Sequence, residues 1–234
     1  VECLIDETAD VETEADWEST IPQNLTENWA ENVVLIAQSQ MGYQESRKNF
    51  RFADDGTTRK GYTRYGAWYG NEYGDWCAMF AAFCIRYAGI PAEQMPVNSG
   101  CAAWISELKN AGMYVESQTK QPKSGDLVFF DLDQDGSADH VGIVEKVQES
   151  GTIKVVEGNS ADMVKENEWA TEDAKILGYG MIPENPLLQT QKEVKTEEKA
   201  AEEMAADAEE PEHTEDTANT ENADAPETES EENS

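Results

Sequence analysis

Between residues 27 and 40, apolar side chains recur at Trp29, Val33, Leu35, Ile36 and Ala37, close to helical spacing, and Gly42 follows as a stop. The pattern predicts a helix of about four turns. From 76 to 88 the chain is apolar on almost every side until Gly89 and Pro91 end the run, which predicts a helix buried at the domain centre with Asp75 as its N-cap. A further helix is predicted over 101–110 from Ala102, Ile105 and Leu108, stopped by Gly112. Between the first two helices, 61–74 is rich in Tyr and Gly, and its glycines forbid a long regular element. After Gly112 the periodicity becomes strand-like, with strands predicted over 126–130, 141–147, 153–157 and 176–182. Their separations suit hairpins and are too short for parallel crossovers, so the expected domain is α+β, with N-terminal helices packed on an antiparallel meander.

Charge divides the chain. Its 234 residues hold 49 Asp+Glu against 17 Lys+Arg, a net of −32, which excludes electrostatic docking onto nucleic-acid phosphate or an anionic membrane. That total splits into −9 for residues 1–28, −14 from Gln191 onward and −9 for the middle, which also holds nearly all the aromatic residues. The expected organisation is therefore a poorly ordered acidic segment over 1–26, a folded domain over 27–185 and an acidic disordered tail over 186–234. The tail from Glu197 has no aromatic residue and too little apolar surface to offset chain entropy. A solubilising linker is the commoner role for such a tail; binding a basic partner has no residue pattern behind it. No apolar run approaches the roughly 18 residues of a membrane span. The chain opens on Val1, which fits removal of an upstream export signal and equally an arbitrary boundary.

Chemistry narrows to few residues. Of two histidines, His213 lies in the acidic tail, so His140, at a predicted strand start, is the sole candidate imidazole base, although a strand-end histidine can also be structural. Cys77 is the second residue of the predicted central helix, where unpaired N–H groups favour a thiolate. Asp75 works against this by adding negative charge, and His140 is the available cation. Cys84, seven residues on, reads as a small buried apolar residue. With Cys77 free, Cys3, Cys84 and Cys101 allow at most one internal disulfide, Cys84 to Cys101 being the pairing suggested. A Cys–His pair needs a third group to fix the imidazole tautomer, and Glu157 and Asn159 are the candidates. They share a face if the strand stays extended through Gly158. A turn near Gln148–Glu149 would set His140 opposite Glu157; the stronger turn signal, Ser150–Gly151, would set Val144 there, so a longer loop or a bulge is needed.

These residues sit in four ordered pieces: Gly74-Asp-Trp-Cys77-Ala-Met-Phe80, Ser124-Gly-Asp-Leu-Val-Phe-Phe130, Asp139-His140-Val-Gly-Ile-Val144 and Val156-Glu157-Gly-Asn159. Together they resemble the CHAP family, the cysteine, histidine-dependent amidohydrolase/peptidases, over about residues 27–183. The resemblance implies a papain-like α+β fold that cleaves amide bonds of bacterial peptidoglycan, at the sugar–peptide junction as an N-acetylmuramoyl-L-alanine amidase or within the peptide as an endopeptidase. It further implies Cys77 as nucleophile, His140 as base, Glu157 as its orienting partner and Asn159 as a supporting polar residue. The expected setting is a secreted or cell-surface bacterial enzyme, monomeric, with peptide stems as partners and no required cofactor.

Asp131-Leu-Asp133-Gln-Asp135-Gly136, with Asp139 following, matches the opening of a calcium loop, but the twelfth position, a bidentate Glu in an EF-hand, is Gly142. A charged hairpin turn is the commoner reading; a calcium ion on Asp131, Asp133, Asp135 and Asp139 would be structural. Two rival functions remain at this level: an intracellular amidase on small peptide–amine conjugates, and a non-enzymatic, calcium-stabilised surface module in which Cys77 is merely buried.

Overall fold

The computed structural model describes residues 5–188, Thr190 and Thr196. The chain divides into two units, Val1–Gln191 and Lys192–Ser234. The acidic tail expected over 186–234 lies outside the described residues from Gln189 on, apart from Thr190 and Thr196, as do Cys3 and His213.

In chain order the first unit contains α1 (Glu14–Glu18), α2 (Trp29–Ser39), β1 (Phe50–Phe52), β2 (Arg59–Gly61), α3 (Arg64–Tyr69), α4 (Cys77–Tyr87), α5 (Cys101–Asn110), β3 (Tyr114–Glu116), β4 (Leu127–Phe130), β5 (His140–Val147), β6 (Thr152–Glu157), β7 (Lys165–Ala170) and β8 (Ile176–Gly180). Strands β1 and β2 form a small antiparallel pair, and the rest form one sheet in the order β3-β8-β4-β5-β6-β7, antiparallel at every junction. The expected α+β class, with helices packed on an antiparallel sheet, is what the structure has.

The predicted four-strand meander is corrected at its end. Strand β8 does not pair with β6; it returns to the far side of β4, because β7 occupies the free edge of β6. Sequence periodicity missed β7, whose residues Lys-Glu-Asn-Glu-Trp-Ala contain a single large apolar side chain and alternate between half-buried and exposed. Charge on an edge strand discourages pairing with other chains, which gives such a strand the look of a loop.

Helix α4 is the centre of the core. Nine of its eleven residues, from Cys77 to Ile85, are buried, packed among α2, α3 and the sheet face that carries Leu127, Phe129, Val141, Ile143 and Val156. The opposite face carries a smaller cluster around Val128, Phe130, Val144, Val155 and Tyr179, with Trp169 packed on it.

The acidic N-terminal segment, expected to be poorly ordered, is instead laid on this core from residue 5. Trp17, on α1, is buried and donates Nε1–H to Tyr87 Oη at 2.9 Å. Glu12 takes both Arg64 Nε (2.6 Å) and Nη2 (2.5 Å), while the Arg64 guanidinium lies 4.5 Å from the Tyr43 ring centroid. A Thr13–Asp16 capping box starts α1. Charge composition pointed to disorder, but one aromatic anchor and one bidentate arginine pair, both with distant partners, order the segment.

Candidate active site

Helix α4 begins at Cys77, one residue later than the expected start at Trp76, so Cys77 is its first residue and not its second. Trp76 is the cap residue and makes no side-chain capping bond, whereas Asp75, the expected cap, pairs with Lys60. Trp76 is fully buried, stacked on Tyr65 at 5.3 Å, with its Nε1–H donated to Glu45 Oε2 at 3.1 Å. That anchorage fixes where the helix starts and hence where the Cys77 sulfur lies. The first N–H groups of a helix lack intrahelical acceptors, and that of Ala78 contributes to lowering the Cys77 thiol.

His140 opens β5 and Glu157 closes β6, but the two are not directly opposite. Glu157 pairs with Gly142, and a bulge between Val144 and Lys146 joins this register to a hairpin whose loop, 149–151, is closed by the Gln148 N–H donated to Thr152 O at 2.9 Å. The pairing is displaced by two residues from the expected one, so Glu157 stays on the His140 face of the sheet and reaches it diagonally. Gly142 makes this reach feasible, because a Cβ there would lie 2.9 Å from Glu157 Cγ. His140 Nε2 and Glu157 Oε2 are 2.9 Å apart. With Nε2–H donated to the carboxylate, Nδ1 is the imidazole nitrogen left to face the thiol.

The other carboxylate oxygen is also engaged. Trp169, on β7, donates Nε1–H to Glu157 Oε1 at 2.7 Å, and its ring lies 4.7 Å from Phe130, which in turn lies 5.9 Å from the His140 ring. Asn167, two residues earlier on β7, also interacts with Glu157. Asn159, expected to support the triad from an extended strand, does not continue that strand. Its backbone is left-handed, with φ 57°, so the strand alternation ends at Gly158. Gly158 abuts Phe80 of α4, where a Cβ would come within 2.6 Å of Phe80 Cβ. Asn159 lines the same cavity as His140 and Glu157, and β7 adds polar groups to the carboxylate through Trp169 and Asn167. The only sequence signal for this was a tryptophan isolated in a charged, alternating stretch.

The cysteines are also rearranged. Cys77, Cys84 and Cys101 are free thiols, and the suggested Cys84–Cys101 disulfide is not formed. Cys84 is fully buried in the core, where burial pushes its thiol up. Cys101 is buried at the start of α5, with its sulfur 3.8 Å from that of Cys77.

Electrostatics follow from this arrangement. The thiol hydrogen bond from Cys101, and after it the interaction with His140, hold Cys77 well below the ordinary thiol range against the effect of burial. The Cys101 thiol is pushed up, first by that same bond and then by burial. Burial pulls His140 down, yet Cys77 and Glu157 outweigh it and raise the imidazole to about 10. Glu157 is buried, which raises its carboxyl, but His140, Trp169 and Asn167 together bring it below the usual range. These directions favour a thiolate on Cys77 and an imidazolium on His140, with Glu157 hydrogen-bonded to the ring.

A cavity of about 370 Å³ opens beside His140 and Glu157, lined also by Leu132, Asn159, Asn167 and Trp169. A second, of about 300 Å³, lies between Ala102 and Ile105 of α5 and Ser137–Ala138. A further cavity, of about 520 Å³ between 117–121 and Thr171–Glu172, is lined by neither thiol nor imidazole.

Of the four aspartates proposed for calcium, Asp131, Asp133 and Asp139 bring one oxygen each within 4.8 Å of one another. Asp135 stands outside that group and accepts the Ser137 N–H at 2.8 Å. Three carboxylates have the hard-oxygen chemistry calcium takes, but fall short of its six to eight ligands. Their oxygens already accept backbone N–H groups of Leu132, Asp133, Asp135 and Gly136. The twelfth position, Gly142, belongs to β5 beneath Glu157.

Comparison with solved structures finds Ly7917, at 14% identity and TM-score 0.43, covering 66% of this chain and 62% of that one, so the chain spans about three fifths of its length. Ly7917 with the hydrolyzing product of MDP matches at 17% identity and TM-score 0.33 over 46% of this chain and 53% of that one. An NlpC/P60 family protein from Bacillus cereus matches at 16% identity and TM-score 0.39 over 71% of this chain and 42% of that one. At these values the likeness is a partial structural overlap from which no activity follows. No curated protein matches the chain. The motifs' resemblance is borne out by the family comparison, in which residues 68–159, the stretch holding Cys77, His140, Glu157 and Asn159, match the CHAP domain.

Proposed function

We propose that the domain is a cysteine-dependent amidohydrolase/peptidase that cleaves amide bonds of bacterial peptidoglycan, acting outside the cell or at its surface. The observation that carries this reading is the chain of contacts from the Cys77 sulfur through His140 to Glu157, set at the start of a buried helix within the CHAP match. The Cys77 thiolate attacks the amide carbonyl, and the oxyanion is met by the Cys77 N–H at the head of α4. His140 Nδ1–H gives its proton to the leaving amine, which departs and leaves a thioester. The neutral imidazole then takes a proton from water, whose oxygen releases the acid and restores the thiolate. Glu157 keeps the tautomer correct throughout through its bond to Nε2. The cavity lined by His140, Glu157 and Asn159 offers room for part of a peptide beside the imidazole. With Cys77 only 6% exposed, the substrate must present an unhindered strand.

Digestion of purified sacculi followed by mass spectrometry tests the proposal. Freed lactyl carboxylates identify an amidase, and new amino termini within the stems identify an endopeptidase. Intact sacculi after treatment with protein whose Cys77 still alkylates rapidly at neutral pH would overturn the substrate assignment.

A further inference from the structure

The mechanism above uses one thiol, yet the site holds two. Cys77 and Cys101 are each the first residue of a helix, of 11 and 10 residues respectively, and neither helix has a side-chain cap. The two N-termini therefore converge on a pair of sulfurs 3.8 Å apart, both nearly buried at 6% and 7% exposure. We propose that Cys77 and Cys101 are an oxidisable dithiol: a hydroperoxide oxidises Cys77, and Cys101 closes a Cys77–Cys101 disulfide that a thiol reductant reopens.

The chemistry balances. The Cys77 thiolate attacks the distal peroxide oxygen, the O–O bond breaks, and Cys77 sulfenic acid forms as alkoxide or hydroxide departs. The Cys101 sulfur, losing its proton, attacks the sulfenic sulfur. Hydroxide leaves with that proton as water, so two thiols have lost two electrons and the peroxide has gained them. Geometry selects the resolving thiol. A disulfide of about 2.05 Å requires the two sulfurs to approach by less than the width of an atom. Gly100, with no Cβ contact closer than Asn98 Oδ1 at 3.6 Å, precedes Cys101 and leaves that turn room to adjust. Cys84 is two turns further along α4 and wholly enclosed. Low exposure admits a small peroxide more readily than a bulky external thiol, so the internal thiol meets the sulfenic acid first. The effect on turnover rests on the reading of Cys77 as nucleophile; formation of the disulfide does not.

The test uses the full chain with hydrogen peroxide at neutral pH, followed by non-reducing peptide mapping and by hydrolysis assays before and after dithiothreitol. The expected result is a linked Cys77–Cys101 peptide pair lighter by two hydrogens, complete loss of hydrolysis, and full recovery on reduction. In Cys101→Ser and Cys101→Ala, each compared with its own untreated rate, the loss should become irreversible, with Cys77 recovered as sulfinic acid. Mapping on the parent needs neither variant to fold. Sulfinic acid at Cys77 in the parent without a disulfide, or a bridge to Cys3 or Cys84, overturns the proposal. A Cys77–Cys101 bridge in a protein that hydrolyses no peptidoglycan upholds the dithiol and rejects the substrate instead.

Discussion

Two groups of carboxylates flank His140, and they behave in opposite ways. Upstream, the aspartates of 131–139 turn inward on their own loop, accepting N–H groups from residues two to seven positions away. Across the sheet, Glu157 is 2% exposed and has both oxygens claimed by side chains from two other strands, His140 on β5 and Trp169 on β7. A carboxylate satisfied locally shapes a turn. One satisfied by distant, partly charged donors in a desolvated place sets a proton equilibrium. Proximity to the imidazole along the chain is thus a poor guide to which acid acts on it.

The largest effect expected on the Glu157 side comes from the end of its chain of contacts. Cys77→Ala should lower hydrolysis by roughly 10⁴-fold or more, to background, while circular dichroism and the melting temperature stay near those of the parent. Retention of substantial turnover would remove Cys77 from the mechanism.

Next is Glu157→Gln. Trp169 N–H demands an acceptor, so the Gln carbonyl should turn to Trp169 and its NH₂ to His140 Nε2, forcing the proton onto Nδ1 and the wrong tautomer. A loss of roughly 10²- to 10⁴-fold in kcat is expected. Adding Trp169→Phe frees the amide to flip, so the double variant should be more active than Glu157→Gln alone. Activity no higher in the double variant would show that the tryptophan does not orient this carboxylate.

Alone, Trp169→Phe keeps the ring against Phe130 but removes a hydrogen bond to a charged group, worth about 1.5–3 kcal/mol. We expect kcat to fall by about tenfold with KM unchanged. The pH profile supplies a second reading. His140 is raised to about 10, so its proton and the stabilisation from its partners are fully present below the ordinary imidazole value and lost as pH rises through about 10. The alkaline limb of kcat/KM should therefore lie near that pH in the parent and move to lower pH in Trp169→Phe. A limb that stays in place would leave the tryptophan a packing residue.

The smallest effect is expected on the other side of the comparison. Because backbone N–H groups already hold the 131–139 loop, Asp133→Asn combined with Asp135→Asn, or addition of a chelator, should leave turnover unchanged. A melting temperature that rises with calcium in the parent and not in the double variant would make the loop a metal site and sharpen the contrast with Glu157.

By itself the sequence determined what local pattern can encode. Helices α2, α4 and α5 and strands β4, β5, β6 and β8 follow from apolar spacing and stop residues, and Cys77, His140 and Glu157 stand out because thiol, imidazole and carboxylate each fall at an element's end. Tertiary structure decided everything that depends on which distant residues meet. The bulge at Glu145 belongs to the register that sets Glu157 against Gly142, and a left-handed backbone at Asn159 ends the strand alternation there. The edge strand β7 brought Trp169 and Asn167 to the carboxylate, and the meeting of two helix starts set Cys101 against Cys77. Trp17 and the Glu12–Arg64 pair fastened a segment whose charge alone suggested disorder. Spacing along the chain reports which face a residue takes, because backbone geometry repeats every 2 or 3.6 residues. It carries no term for register or for the partner across a sheet, and those are fixed only when side chains compete for the same buried donors and the same space.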